Sequence, residues 1–264
     1  MRRFGNTAPR KPTVGLPGPI WPPTRLPGCV AWYDMLETYT DGGGTVTAIR
    51  NMVTGSDDMA EATNPPALSL TGLNGRPCMA PDGTNDRLIS SEASVFQPFN
   101  STVAPLTMIA VCSLTSLAGA RTLFGAGNSG VASSSTHIMQ TTISLGGVLR
   151  QNRIGDGGAS TTLNRTEGIP LGVPFVWSAG TDGNDGFHTV NLERTRTSIA
   201  TGTAFARAGL VAADRTAFFC RPDSAPDTFG NMMTGCFLLF ARRLPDSELL
   251  GIVAALMGRW RIPT

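Results

Sequence analysis

Hydrophobic and polar positions follow each other along most of this chain in short extended runs, and only near the C-terminus does the spacing become helical. The clearest run is Leu106-Thr-Met-Ile-Ala-Val-Cys-Ser-Leu114, with Met108, Ala110 and Cys112 on one side of an extended backbone and Ile109 and Val111 on the other. A strand that is apolar on both sides belongs in the middle of a covered sheet. Cys236-Phe-Leu-Leu-Phe-Ala241 reads as a second core strand. Shorter strands, each bounded by Gly, Pro, Asn or Ser, are expected at 45–51, 121–125, 137–140, 143–150, 174–179 and 187–194. Gly42-Gly43-Gly44 supplies a turn before Thr45, and the small polar stretch 127–135 reads as an exposed loop. Arg76 to Ala80, then Asp82-Gly83, then Arg87-Leu88-Ile89 read as strand, turn and strand of a β-hairpin. Beyond Arg242 the period changes. Leu249, Ile252, Val253, Leu256, Met257 and Trp260 recur three and four residues apart and form one helical stripe, with Asp246 and Glu248 at its positive end.

The composition agrees with a β-rich body. Among 264 residues there are 31 glycines and 19 prolines, and 15% of residues are charged, which suits many short strands joined by turns in one large domain. Seven of the prolines fall in the first 27 residues, so residues 1–28 read as an extended, polyproline-like arm and residues 29–264 as the folded domain. The arm is basic. Arg2, Arg3, Arg10, Lys11 and Arg25 meet no acidic residue before Asp34, whereas the rest of the chain is mildly acidic. An arm of this kind is expected to dock on an acidic protein or on nucleic acid, with Arg2, Arg3, Arg10, Lys11 and Trp21 as anchoring residues. Trp21 is a large ring without a core of its own, and it either folds back onto the body or fills a partner's groove.

Three motifs carry a family resemblance. Pro27-Gly-Cys-Val-Ala-Trp-Tyr-Asp34, Asn74-Gly-Arg-Pro77 followed by Asp82-Gly-Thr-Asn-Asp-Arg-Leu88, and Arg242-Arg-Leu-Pro-Asp-Ser-Glu248 leading into the helix resemble, in order, motifs of laminin-G-like domains in the concanavalin A-like lectin/glucanase superfamily. The resemblance runs from Pro27 to Trp260. It implies an all-β fold: a concanavalin A-like antiparallel β-sandwich (jelly roll) with a C-terminal amphipathic helix and, here, an extended N-terminal arm. The chain departs from the pattern at three places. Pro81 stands where the family has phenylalanine, which would favour an edge position. Asn191 is followed by Leu192 and not by glycine. Pro245 replaces the serine cap of the helix, a loss worth about 1 kcal/mol that a proline in the first turn partly offsets.

Catalytic chemistry is not legible. The glucanases of this superfamily carry E-x-D-x-x-E on one strand, and no such spacing occurs; Glu193 stands alone. His137 and His188, the two histidines, lie near no G-x-S-x-G elbow. Gly125-Ala-Gly-Asn-Ser-Gly130 fits G-x-G-x-x-G formally but opens no helix. Five cysteines (Cys29, Cys78, Cys112, Cys220, Cys236) form no C-x-x-C pair, so free thiols are expected and a zinc site is not. Two acidic turns, Asp82-Gly-Thr-Asn-Asp86 and Asp182-Gly-Asn-Asp-Gly186, offer oxygens to calcium or to sugar hydroxyls, with Asp182, Asn184 and Asp185 as the candidate loop. Calcium takes about six to eight oxygens, more than either loop supplies, and Asp and Asn also simply make turns. No cofactor is expected.

No apolar leader follows Met1 and no run is long enough to span a bilayer, so synthesis in a host cytoplasm without membrane insertion is expected. The leading expectation is a non-enzymatic bacteriophage virion protein, a capsid decoration or a collar or tail fibre component. Its arm would bind other virion proteins, and the body would form a homo-oligomer. The alternative is a carbohydrate-binding, lectin-like module for a host surface glycan.

Overall fold

The structure, a computed structural model, describes residues 21–53, 59–100, 105–116, 121–130, 137–144, 148–154, 160–165, 169–181, 186–192, 197–198, 212–222 and 229–264. In chain order the first strands are β1 (Cys29–Asp34), β2 (Tyr39–Asp41), β3 (Val46–Ile49), β4 (Met59–Ala60), β5 (Ala67–Leu73), β6 (Arg76–Ala80) and β7 (Leu88–Ser90). A short helix α1 (Ala93–Phe96) precedes β8 (Leu106–Leu114), β9 (Arg121–Gly127), β10 (His137–Ser144), β11 (Val148–Ile154) and β12 (Ser160–Arg165). Then come β13 (Phe175–Thr181), β14 (Gly186–Val190), β15 (Thr197–Ser198), β16 (Arg215–Phe218), β17 (Met232–Phe240) and α2 (Asp246–Arg259).

Among the described residues these strands form two sheets. One has eight strands in the order β15-β14-β13-β8-β17-β6-β5, with β1 also on β17; the other has nine, in the order β12-β11-β10-β9-β16-β7-β4-β3-β2. Every strand pairing is antiparallel. The expected antiparallel sandwich is therefore observed. β8 is buried along its whole length and lies between β13 and β17, as its two-sided apolar pattern predicts. The core between the sheets is aromatic: Phe124 of β9 stacks on Phe237 of β17 at 4.5 Å between ring centroids, and Phe218 meets Tyr33 and Phe237 edge-on. A register shift in β9 opposite Thr141 and Thr142 brings Leu123 into the core beside Phe124.

Helix α2 packs on the outer face of the eight-stranded sheet. Its buried stripe is the expected one, Leu249, Ile252, Val253, Leu256 and Met257, continued by Trp260. Gly235 of β17 makes the close approach possible: a Cβ there would lie 2.3 Å from the Trp260 ring. Pro245 offers no side-chain cap. Instead the buried Thr107 hydroxyl of β8 accepts from Leu244 N–H at 3.0 Å and donates to Arg242 O at 2.9 Å, which fixes the connection into the helix.

Four expectations need correction. Arg76–Ala80 and Leu88–Ser90 are strands, but they do not pair: β6 joins β5 and β17 in one sheet, while β7 joins β4 and β16 in the other. Asp82-Gly83 is thus part of a crossover between the layers. The hairpin turn is Asn74-Gly75, both with positive φ (51° and 76°), linking β5 to β6. Pro81 is buried beside β6, a strand with partners on both sides, and marks no edge. The run 143–150 is not one strand, because β10 ends at Ser144 and β11 begins at Val148.

Candidate functional site

Among the described residues the void between the sheets is too small for a ligand. The void between the sheets, lined by Met108, Ala110, Leu123, Thr141, Trp177, Ala179 and Phe237, amounts to about 10 Å³, roughly the least that admits one water. Any site on the described body is therefore on its surface.

Strand register identifies which surface. On the nine-stranded sheet Leu88, Phe218, Phe124, Thr141 and Leu163 are buried and point inward. The alternate row crosses the sheet from Thr40 through Ala48, Ala60, Ile89, Ala217, Gly125, Gln140 and Asn152 to Thr162. Its described side chains face outward, on the side away from α2. The segment after β16 crosses the middle of this face. A Cβ on Gly125 would meet Pro222 at 2.8 Å, and Arg215 Nε donates to Pro222 O at 2.8 Å. Two open halves remain.

On the half formed by β3, β4 and β7 there is a shallow depression of about 500 Å³ lined by Thr47, Ala60, Glu61 and Ala62. Small side chains make its floor. Its rim is stiffened by polar bonds: Arg87 Nε donates to Glu61 Oε2 at 2.8 Å, Thr63 N–H to Glu61 Oε1 at 2.9 Å, and Asn85 Nδ2 to Asn64 Oδ1 at 3.0 Å. Burial pushes the Glu61 carboxyl up, but the Arg87 guanidinium and the Thr63 and Asn64 N–H groups outweigh it and hold the group below its ordinary value. Glu61 is an ionised structural carboxylate, unsuited to act as an acid.

On the other half, β10 to β12, the register sets Gln140, Asn152 and Thr162 in one row and Thr142, Arg150 and Asn164 in the next, with Val148 and Ile154 in the flanking rows of the same parity. Arg150 and Asn164 stand directly opposite each other, both half-buried, and Arg150 Nε donates to Asn164 Oδ1 at 3.0 Å. Behind them a buried relay joins the two sheets. Trp177 Nε1–H donates to His188 Nδ1 at 3.1 Å, and His188 Nε2, which carries the proton, reaches Leu163 O at 3.2 Å. His188 is thus a core strand residue and no catalytic base. Leu163 is the residue before Asn164, so the relay pins the strand that orients Arg150.

A third depression, of about 410 Å³, lies on the eight-stranded sheet and is lined by Gly72, Ser113, Leu114, Thr115, Leu171, Gly172 and Met233. Its lining holds no charged side chain.

The residues singled out in the sequence are not brought together. Arg2, Arg3, Arg10 and Lys11 lie outside the described residues, as do Glu193 and the loop residues Asp182, Asn184 and Asp185 between β13 and β14. Trp21 is described and half-buried on the body: its ring meets Trp32 edge-on at 5.2 Å, and the Arg259 guanidinium lies 5.2 Å from its centroid. Asp82 and Asp86 serve their own turn, accepting from Thr84 N–H at 2.7 Å and Asp82 N–H at 2.8 Å respectively. Among the described residues no three His, Cys, Asp or Glu side chains converge on a metal position. None of the five cysteines is in a disulfide. Burial pushes Cys78 up to about 11 and Cys29 to about 12, far from a reactive thiolate. No helix of the described residues is long and apolar enough to cross a membrane. The Arg150–Asn164 pair was missed in the sequence, where only the alternation Leu149-Arg150 and Leu163-Asn164 hints at a shared outward face.

No protein-family model and no curated protein matches this chain, but solved structures do. Trypanosoma rangeli sialidase in complex with sialic acid is similar over 87% of this chain and 33% of its own, at a TM-score of 0.59 and 14% identity. This chain therefore spans about a third of the sialidase. The binding domain of botulinum neurotoxin DC in complex with SialylT is similar over 87% of this chain and 52% of its own, at 0.57 and 11%. The CBM40 module of Ruminococcus gnavus IT-sialidase matches 58% of this chain and 84% of its own, at 0.50 and 16%. The fold is that of a lectin-like β-sandwich. At these identities the fold is what the lectin-like sandwich shares with them.

Proposed function

We propose that this chain is a non-catalytic carbohydrate-binding module that takes its ligand on the outer face of the nine-stranded sheet. One observation carries the reading: the two outer faces are unlike. The eight-stranded sheet carries α2 on its outer face, whereas the nine-stranded sheet leaves open a small-residue depression and the Arg150–Asn164 pair, and among the described residues the void between the sheets is too small for a sugar. Sugars bind such surfaces through many hydroxyl contacts to rigid amide, guanidinium and carboxylate groups. The names of three structural neighbours, which mention sialic acid, SialylT and a CBM40 module, support a saccharide as ligand. A lack of enzymatic activity is supported by the described carboxylates: Glu61 and Asp34 are held by arginines, and neither faces a second carboxyl across an open cleft as glycoside hydrolysis requires.

A finer affiliation with laminin-G-like domains is supported by where the three motifs fall: on β1, on the β5–β6 hairpin with its crossover to β7, and on the β17–α2 junction. Display on a phage particle, as capsid decoration or collar or tail fibre, would be the setting of such a module, and the basic leading segment is what supports it. A glycan array with the full chain tests the activity: reproducible binding of one saccharide class is expected, and a blank array defeats it. Particle incorporation with and without residues 1–20 tests the setting.

A further inference from the structure

Arg150 differs from the body arginines that are held by carboxylates. Arg87 is neutralised by Glu61, Arg242 by Glu248, and Arg259 by Asp34 and Glu37. Arg121 and Arg215 are committed to the backbone carbonyls of Gly83, Phe229 and Pro222. Arg150 has a neutral partner, the Asn164 amide oxygen, and no described carboxylate pairs with it. Among the described residues its charge is therefore uncompensated, on a half-buried surface where water screens it less than at a fully exposed site.

The geometry adds direction to the charge. Because Asn164 takes the Nε–H, the plane of the guanidinium is set, and its two terminal nitrogens, which bond to no described residue, are placed to present their donors together. Asn164 is itself held, since the preceding residue, Leu163, is tied to the other sheet through His188 and Trp177. A planar, pre-oriented fork with unneutralised charge matches a carboxylate, which it binds through two parallel, charge-assisted hydrogen bonds. The positions beside it in the register and along the strand, Thr142, Asn164, Asn152 and Val148, are uncharged by sequence.

We propose that Arg150, oriented by Asn164, is the carboxylate-binding residue of this face, so that the ligand is an acidic saccharide: a sialylated glycan or a uronic acid oligomer. This rests on the carbohydrate-binding reading above. The decisive measurement is titration calorimetry of the full chain with 3′-sialyllactose and with a trigalacturonate, each set against its carboxyl methyl ester, and with lactose. One acid is expected to bind and its ester to bind at least about tenfold more weakly, the loss of a charge-assisted pair; which acid binds identifies the source of the carboxylate. Arg150→Gln should abolish the difference between acid and ester, Arg150→Lys should keep part of it, and Asn164→Ala should weaken acid binding with little change in melting temperature. The ester comparison uses the unmodified chain and needs no variant to fold. Equal affinity for acid and ester, or an Arg150→Gln protein that folds and still prefers the acid, overturns the carboxylate role and leaves the lectin reading standing. Binding of neutral saccharides alone on the array has the same effect, whereas no binding to any saccharide overturns both.

Discussion

Two single residues show how narrowly the fold is specified. Gly235 is the first, because the Trp260 ring just after α2 packs over a position with no side chain. Gly235→Ala puts a methyl group into the indole, and overpacking of this kind should cost about 1–3 kcal/mol, read as a shift of the denaturant midpoint. Trp260→Leu in the same background should recover part of that loss, since the two side chains compete for one space. Asp34 is the second. It is fully buried, accepts from Leu36 N–H at 2.9 Å and from Arg259 Nε at 3.1 Å, and neighbours Glu37. Burial pushes its carboxyl up, and the Leu36 N–H and Arg259 pull back without cancelling the rise. A carboxyl whose folded pKa is raised binds its proton more tightly in the native state. Its stabilisation is complete below the unfolded value of about 4 and is lost as pH rises through the folded value. Asp34→Asn should therefore flatten the fall in melting temperature above pH 4; an unchanged pH profile would contradict the burial effect.

At the level of elements, the junction between β17 and α2 depends on a side chain distant in sequence. Thr107 supplies what Pro245 lacks, accepting the Leu244 N–H just before the helix begins. Thr107→Val keeps the shape but orphans that buried donor, a change expected to cost about 1–3 kcal/mol by equilibrium unfolding. Such long-range substitutions explain what was and was not legible in the sequence. β8 and the α2 stripe were readable because their periodicity is strong and local. The partner of β6 was not, since alternation says which side chains point inward but not to which layer a strand belongs; Asn74-Gly75 carried the hairpin signal and Asp82-Gly83 the crossover. β12 and β16 went unread for a related reason. Ser160-Thr-Thr-Leu-Asn-Arg165 and Arg215-Thr-Ala-Phe218 are short and polar, and they are strands because longer neighbours pair with them. The Arg150–Asn164 pair exists only once β11 and β12 are in register, so no local pattern announces it.

For the molecule as a whole, the unlike faces give it a front and a back. Trp21 and Trp32, Asp34 and Arg259 all gather on the helix side, where the ring of Trp21 is held between an indole and a guanidinium. The polar surface with Arg150 lies on the opposite layer. The described N-terminal segment is stitched to the body beyond Trp21 as well: Arg242 Nε donates to Pro27 O at 2.6 Å, and Ala241 N–H to Gly28 O at 2.8 Å. Trp21, where the described chain begins, therefore sits at the back. A carrier that grips the module there would hold it by its rear and leave its polar layer turned to the surroundings. Many copies mounted in that way would look outward together, and modest single contacts would sum into firm adhesion through effective concentration alone.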